Sequence, residues 1–137
     1  MIQIICGKKG SGKTKIMLDK AAEYVKSASG EVVYVDKSAQ NMYELNNQVR
    51  LINISEYPVS STEAFLGFVS GLLSGNHDIE CVFFDSLLKL AKVELSELKD
   101  FIDSLEKLSE DKTFILSVSS IEEDLPSDIK DKILVSC

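Results

Sequence analysis

Close to its start the chain reads Gly7-Lys8-Lys9-Gly10-Ser11-Gly12-Lys13-Thr14, directly behind the apolar run Ile2-Gln3-Ile4-Ile5-Cys6 and directly ahead of a helical pattern. The spacing G-x-x-x-x-G-K-T in that context demands a strand that ends in a glycine-rich turn and passes straight into a helix. Glycines in the turn let the backbone bend tightly and approach a ligand, so that successive N–H groups face one point. The helix that follows adds its unpaired N-terminal N–H groups and the positive end of its dipole. The segment therefore predicts a strand–loop–helix unit with a phosphate as its natural ligand, and Gly7, Lys8, Lys9, Gly10, Ser11, Gly12, Lys13 and Thr14 as the residues around it. Lys13 is the side chain placed to reach β- and γ-phosphates, and Thr14 offers a hydroxyl to Mg²⁺. Lys8 and Lys9 either raise the local positive potential or stand in solvent.

The rest of the chain alternates in the same way. Strand patterns fall at Ile2–Cys6, Glu31–Asp36, Arg50–Ile54, Glu80–Asp85, Thr113–Val118 and Ile133–Ser136. Most are continuous β-branched or aliphatic runs, the mark of parallel strands covered on both faces. Between them, Ile16, Met17, Ala21, Tyr24 and Val25 recur at helical spacing up to about Ser27, where Ser29-Gly30 supplies a stop. Ser60 and Glu63 have the spacing of a capping box for a helix running to about Ser74, and Gly67 and Gly71 on one of its faces predict close packing. A strongly amphipathic helix is predicted from about Glu94 to Ser109, with Leu95, Leu98, Phe101, Ile102, Leu105 and Leu108 inward. Ser127–Asp131 reads as a short helix after Pro126. The pattern predicts an α/β fold with right-handed crossovers.

A length of 137 residues suits one domain, residues 1–137, with little room for an inserted substrate domain. Fifteen basic against 22 acidic residues give a net charge of −7, which disfavours a broad nucleic-acid or anionic-membrane surface. No stretch has the length of a membrane span and no leader pattern precedes the first strand, so a cytoplasmic protein without membrane insertion is expected. The three cysteines, Cys6, Cys81 and Cys137, form no close pair, and two of them fall in strands as small buried thiols.

A second acidic position completes the chemistry. Cys81-Val82-Phe83-Phe84-Asp85 is an apolar strand ending in a carboxylate, which suits an acid that orients Mg²⁺ through its water shell. With Gly7–Thr14 and Asp85 together, the chain resembles the P-loop NTPase superfamily, in particular a minimal member of its RecA-like, additional-strand group. The resemblance implies a single three-layer P-loop domain with a mostly parallel central sheet, ATP as ligand or substrate, and Mg²⁺ held through Thr14 and Asp85. It also implies that Thr113–Val118 lies between the loop strand and the Asp85 strand, bringing Ser117 or Ser119 near the γ-phosphate.

Hydrolysis further requires a group that positions water for in-line attack. The resemblance puts a Glu after Asp85 or just beyond the second strand, where this chain has Ser86 and Ser38. Asp36 is then the candidate for that role, alongside Lys13 and Asp85 in catalysis, with Glu56 a weaker one; each also fits a structural turn. Arg50 is the only arginine, so a self-contained arginine lid of the kind small-molecule and nucleotide kinases use is excluded. Arg50 either serves across a homo-oligomer interface or begins a strand and pairs with an acid. His77 falls in a turn expected at the far end of the sheet. The amide-rich stretch Ser38–Gln48 follows the second strand, where ligands or partners meet open α/β sheets; Met42, Tyr43 and Leu45 in it are expected to pack in the core. The function expected is Mg-dependent ATP binding with weak ATPase activity. The alternatives are a nucleotide-dependent regulatory module acting on a protein partner, and a kinase.

Overall fold

The computed structural model describes residues 1–137. Strands β1 (Ile2–Gly7), β2 (Glu31–Asp36), β3 (Arg50–Asn53), β4 (Ile79–Phe84), β5 (Thr113–Ser119) and β6 (Ile133–Ser136) form one sheet in the order β3-β2-β4-β5-β1-β6. Every neighbouring pair of strands is parallel. Parallel neighbours cannot be joined by hairpins; α1 (Lys13–Ser27) joins β1 to β2, α2 (Thr62–Gly75) lies between β3 and β4, and α3 (Leu87–Ala91) and α4 (Leu98–Ser109) lie between β4 and β5, whereas β2 runs to β3 through turns alone. As predicted, β5 separates β1 from β4. The chain leaves β1 toward β2 on one side and leaves β5 toward β6 on the other, so the connections diverge at the carboxyl ends of these two strands. Open α/β sheets bind ligands at such a divergence.

Side chains alternate between the two faces of the sheet. Ile4, Cys6, Val33, Val35, Val82, Phe84, Phe114, Leu116 and Val118 belong to a core cluster of 25 buried residues, which Phe65 and Val69 of α2 and Leu98, Phe101, Ile102 and Leu105 of α4 complete. The intervening residues Ile5, Val32, Tyr34, Cys81, Phe83 and Ile115 join Met17, Leu18 and Ala21 of α1 in a cluster of 11, with Leu45 and Val49 from the amide-rich stretch. Three layers follow directly: a sheet apolar on both faces needs helices on both. Each Leu, Ile or Phe fully buried in this way contributes about 1.5–3 kcal/mol relative to an exposed position.

Several elements differ in detail from the sequence reading. Ser61, not Ser60, caps α2, its hydroxyl accepting from Ala64 N at 3.0 Å. The amphipathic helix opens with a 3-10 turn, Leu95–Glu97, closed by a reciprocal box between Glu94 and Glu97, and only then becomes α4. Gly67 and Gly71 pack against nothing: both are exposed, and a Cβ on either would meet no atom within 4 Å. The helix α3 escapes a pattern reading because five residues hold barely more than one turn, and it starts from Ser86 in a left-handed conformation, φ 58°. Ser127–Lys132 form a 3-10 helix. No helix is long and apolar enough to cross a membrane.

Candidate functional site

The glycine loop leaves β1 and turns through Gly10 (φ 83°) and Gly12 (φ 94°, ψ 16°), conformations that L side chains rarely adopt. Gly7 is required for a different reason, since a Cβ there would stand 2.6 Å from Ser11 Oγ and 2.7 Å from Cys137 Cβ. Gly12 is the N-cap of α1, no side chain caps that helix, and no acid occupies its first turn. Its first N–H groups therefore lack the side-chain acceptor that most helices supply. Lys13 is buried, with Nζ donating to Gly7 O at 3.0 Å and Lys8 O at 2.8 Å. Its ammonium thus spans the loop from inside, held only by carbonyls. Lys8, Lys9 and Ser11 are exposed.

Next to the loop, one row of side chains crosses the sheet on its α1 face. Val35 pairs with Phe84, Phe84 with Leu116, and Ser117 with Ile5, so one residue further along Asp36, Asp85 and Ser117 stand side by side. Asp85 is buried and fully engaged. Its Oδ2 accepts from Thr14 Oγ1 at 3.1 Å and from Tyr34 Oη at 2.9 Å, and its Oδ1 accepts from Ser117 Oγ at 2.7 Å. Ser117 Oγ in turn accepts from Ser86 N at 2.7 Å, fixing the turn that follows Asp85. Ser117 is thus a support behind Asp85, not a group turned toward the loop, while Ser119 is exposed at the strand end.

Tyr34 is the member of this row that sequence reasoning missed. It is fully buried, stacks on Phe83 with centroids 5.9 Å apart and planes at 14°, and reaches forward by about one pleat repeat, roughly 6.6 Å, to Asp85. Burial, then the negative Asp85, pushes its phenol well above the ordinary tyrosine range, so it stays a hydrogen-bond donor. The available signal was its parity: Tyr34, Asp36, Phe83, Asp85 and Ser117 all fall on the same face of a period-2 strand pattern.

Asp36 is also brought to the site, on the neighbouring strand end, but it is not free. Its Oδ1 accepts from Lys37 N at 2.7 Å and its Oδ2 from Asn41 Nδ2 at 3.1 Å. Burial raises its pKa above the ordinary carboxylate value against the pull of these bonds, and the nearby Asp85 adds to the rise. The other candidates lie elsewhere. Glu56 is exposed in a 3-10 turn after β3, Arg50 begins β3 and pairs with Glu31 at 3.5 Å, and His77 is exposed in the turn leading into β4. In the amide-rich stretch Leu45 is buried as expected, but Tyr43 is 91% exposed and Met42 is half-exposed, contrary to the core packing expected of them. Cys6 and Cys81 are buried and Cys137 is exposed.

A hard cation suits the donor set at Thr14 and Asp85. Thr14 donates its hydroxyl hydrogen bond to Asp85 and keeps oxygen lone pairs for a metal, and Asp85 supplies negative charge behind it. No group of three or more His, Cys, Asp or Glu side chains converges anywhere in the chain. One hydroxyl and one carboxylate fit Mg²⁺, which keeps several of its waters and takes few protein ligands, better than they fit Zn²⁺ or Ca²⁺.

No family model matches the chain, and no curated protein matches it. Among solved structures it is similar to the structure of C. elegans PCH-2, with a TM-score of 0.55 and 12% sequence identity over 98% of this chain and 34% of that one. The chain spans about a third of that protein's length. At this identity the likeness shows the α/β fold alone.

Proposed function

We propose that the chain is a magnesium-dependent ATP-binding protein of the P-loop NTPase superfamily, with weak ATPase activity that yields ADP and phosphate. The observation that carries the reading is the 3.1 Å contact between Thr14 and Asp85 at the mouth of a glycine loop whose only buried cation is Lys13. The loop amides and the start of α1 bind the phosphates. Lys13 exchanges its two carbonyl partners for the β- and γ-phosphate oxygens, where its charge offsets the charge that builds up as the terminal phosphoryl group departs. Thr14 and Asp85 hold Mg²⁺, which when bound neutralises phosphate charge and orients the chain of phosphates. Tyr34 and Ser117 keep the Asp85 carboxylate in one orientation, which lowers the reorganisation needed on binding.

Water positioning falls to Asp36. Its carboxylate orients the attacking water only after giving up Asn41, which is why slow turnover is the expected behaviour. The same contact favours a second reading, a nucleotide-dependent binding module. Asp36 and Asn41 tie the amide-rich stretch to the site, so a change at the phosphates alters the surface around Tyr43 that a partner would meet.

Calorimetric titration of the purified protein with Mg-ATP, together with a phosphate-release assay, tests the proposal. Binding that needs Mg²⁺, with slow phosphate release abolished by Lys13→Ala and by Asp85→Asn, is expected. Binding with no release at any protein concentration leaves the regulatory reading in place of the ATPase. No binding of ATP or GTP sinks both.

A further inference from the structure

One edge of the sheet is left open. β3 ends the strand order, and the main chain of Arg50, Leu51, Ile52 and Asn53 is hydrogen-bonded on the β2 side only, with no turn or loop bonding it from outside. An open edge is a template for another extended chain, and folded proteins commonly blunt it with lysine, proline or a bulge. The opposite edge carries such an interruption, since the register of β6 on β1 shifts between Ile4 and Ile5. β3 carries none: it follows β2 in unbroken register and contains neither lysine nor proline.

A cavity of about 410 Å³ lies against this same edge, between β3 and the amide-rich stretch. That volume falls within the range of built ligand pockets, roughly 300–1,000 Å³. Buried Leu45 and Val49 line it together with Met42 and Tyr57, which are 49% and 51% exposed. Its polar groups are donors. Asn46 and Asn53 spend their amide oxygens on Gln48 N at 2.9 Å and Ser55 N at 3.1 Å, which leaves both NH2 groups free for carbonyl oxygens.

We infer that β3 accepts an extended peptide segment of a partner protein as an added strand, with one large apolar side chain of that segment seated in the cavity. The edge selects an extended backbone through main-chain bonds, and the cavity selects the side chain. Four edge residues offer few such bonds, so the cavity carries part of the affinity. Charge marks the two ends: Arg50, whose guanidinium has donors beyond its contact with Glu31, favours an acid at the start of β3, and exposed Glu56 favours a base past its end. A second copy of this chain fits less well, because its β3 has no spare apolar side chain for the facing cavity; Leu51 and Ile52 are packed into their own core clusters. The surface is separate from the glycine loop. Three strands intervene between β3 and β1, a separation of about 19 Å at the usual strand spacing, so the inference stands whether or not the loop binds nucleotide.

A phage-displayed library of random dodecapeptides, panned on the full chain without nucleotide, supplies the probe, and fluorescence anisotropy with the selected peptides reads binding. Convergent sequences built around one large apolar residue are expected, with hydrogen exchange slowed on binding at the outward amides of Arg50–Asn53. A backbone N-methylated copy of a selected peptide keeps its side chains and loses main-chain donors, so its binding should fall about tenfold or more. Met42→Asp puts a charge on the cavity wall at a half-exposed position and should weaken the parent peptide by about the same factor, with native far-UV circular dichroism retained. If that variant misfolds, exchange protection and the N-methyl comparison on the wild type still decide. The inference is overturned by a library that yields no binder, by protection that maps elsewhere, by an N-methylated peptide as tight as its parent, or by an affinity that a folded Met42→Asp leaves unmoved. Protection of Arg50–Asn53 that rises with protein concentration alone assigns the edge to a second copy and overturns it as well.

Discussion

Thr14 and Asp85 stand 71 positions apart in the chain and meet in a hydrogen bond of 3.1 Å, the hydroxyl donating and the carboxylate accepting. The contact joins the first turn of α1 to the end of β4 across the intervening β5. The parallel register fixes the end of β4 relative to β1, and the turn through Gly10 and Gly12 then sets the start of α1 over it. Tyr34 and Ser117 then hold the carboxylate from the two adjoining strands.

Replacing Tyr34 with Phe keeps the stack on Phe83 and removes one donor from a buried carboxylate. The variant is expected to lose about 1–2 kcal/mol of stability, the cost of leaving a buried acceptor short of a partner. Urea denaturation of Tyr34→Phe beside wild type reads this directly. A midpoint unmoved within error means that Tyr34 does not hold Asp85 as described.

The raised pKa of Asp36 makes stability depend on pH. Its folded-state pKa lies above the ordinary aspartate value of 3.8, chiefly because of burial. A proton is therefore held more tightly in the folded than in the unfolded chain. The stabilisation from the protonated form is complete below 3.8 and is lost as pH rises through the folded value. Asp36→Asn retains an acceptor for Lys37 N, and Asn41 can rotate its amide to present oxygen. The variant should match or exceed wild-type stability at pH 7 and lose that advantage as pH falls below about 4. Denaturation curves at several pH values decide it; a variant less stable than wild type at pH 7, with no change in the gap on acidification, contradicts the account.

Gly67 and Gly71 sit in the interior of α2 with open space where a Cβ would be. Alanine at either should stabilise the protein by about 0.5–1 kcal/mol, because the glycine backbone loses more freedom on folding. The double variant should melt measurably higher than wild type by calorimetry. A lower melting temperature would show that something does approach this face.

The thiols should react unequally. Burial pushes the Cys81 thiol up to about 12, Cys6 is buried on the opposite face of the sheet, and Cys137 is exposed. Brief treatment of the native protein with iodoacetamide at pH 8 should modify Cys137 alone, with all three thiols reacting in denaturant. Mass spectrometry of the digested protein locates the label, and rapid native labelling at Cys81 would contradict the packing.

Much of this arrangement was legible in the residues. The loop Gly7–Thr14 and the strand pattern appear in the fold because local chemistry dictates them, and the place of Thr113–Val118 between two other strands, which only the resemblance implied, appears as well. A glycine turn needs positive φ, and a sheet apolar on both faces needs helices on both. Short elements were less legible. The five residues of α3 carry no full period, and the start of α2 shifted by one because Ser60 and Ser61 offer the same capping hydroxyl.

What the residues alone could not decide was which side chains meet. Asp36 and Asp85 were recognisable as acids at strand ends, yet only the register places them side by side and engages both with other groups. Tyr34 looked like one more residue of an apolar strand until pairing with Phe83 aimed its hydroxyl at Asp85. The sequence by itself determined the loop, the alternation of strands and helices, and the chemistry each side chain carries, since these depend on neighbours along the chain. Tertiary structure decided how those side chains are combined, since hydrogen bonding and charge act over a few ångströms, and only folding brings residues from separate strands that close.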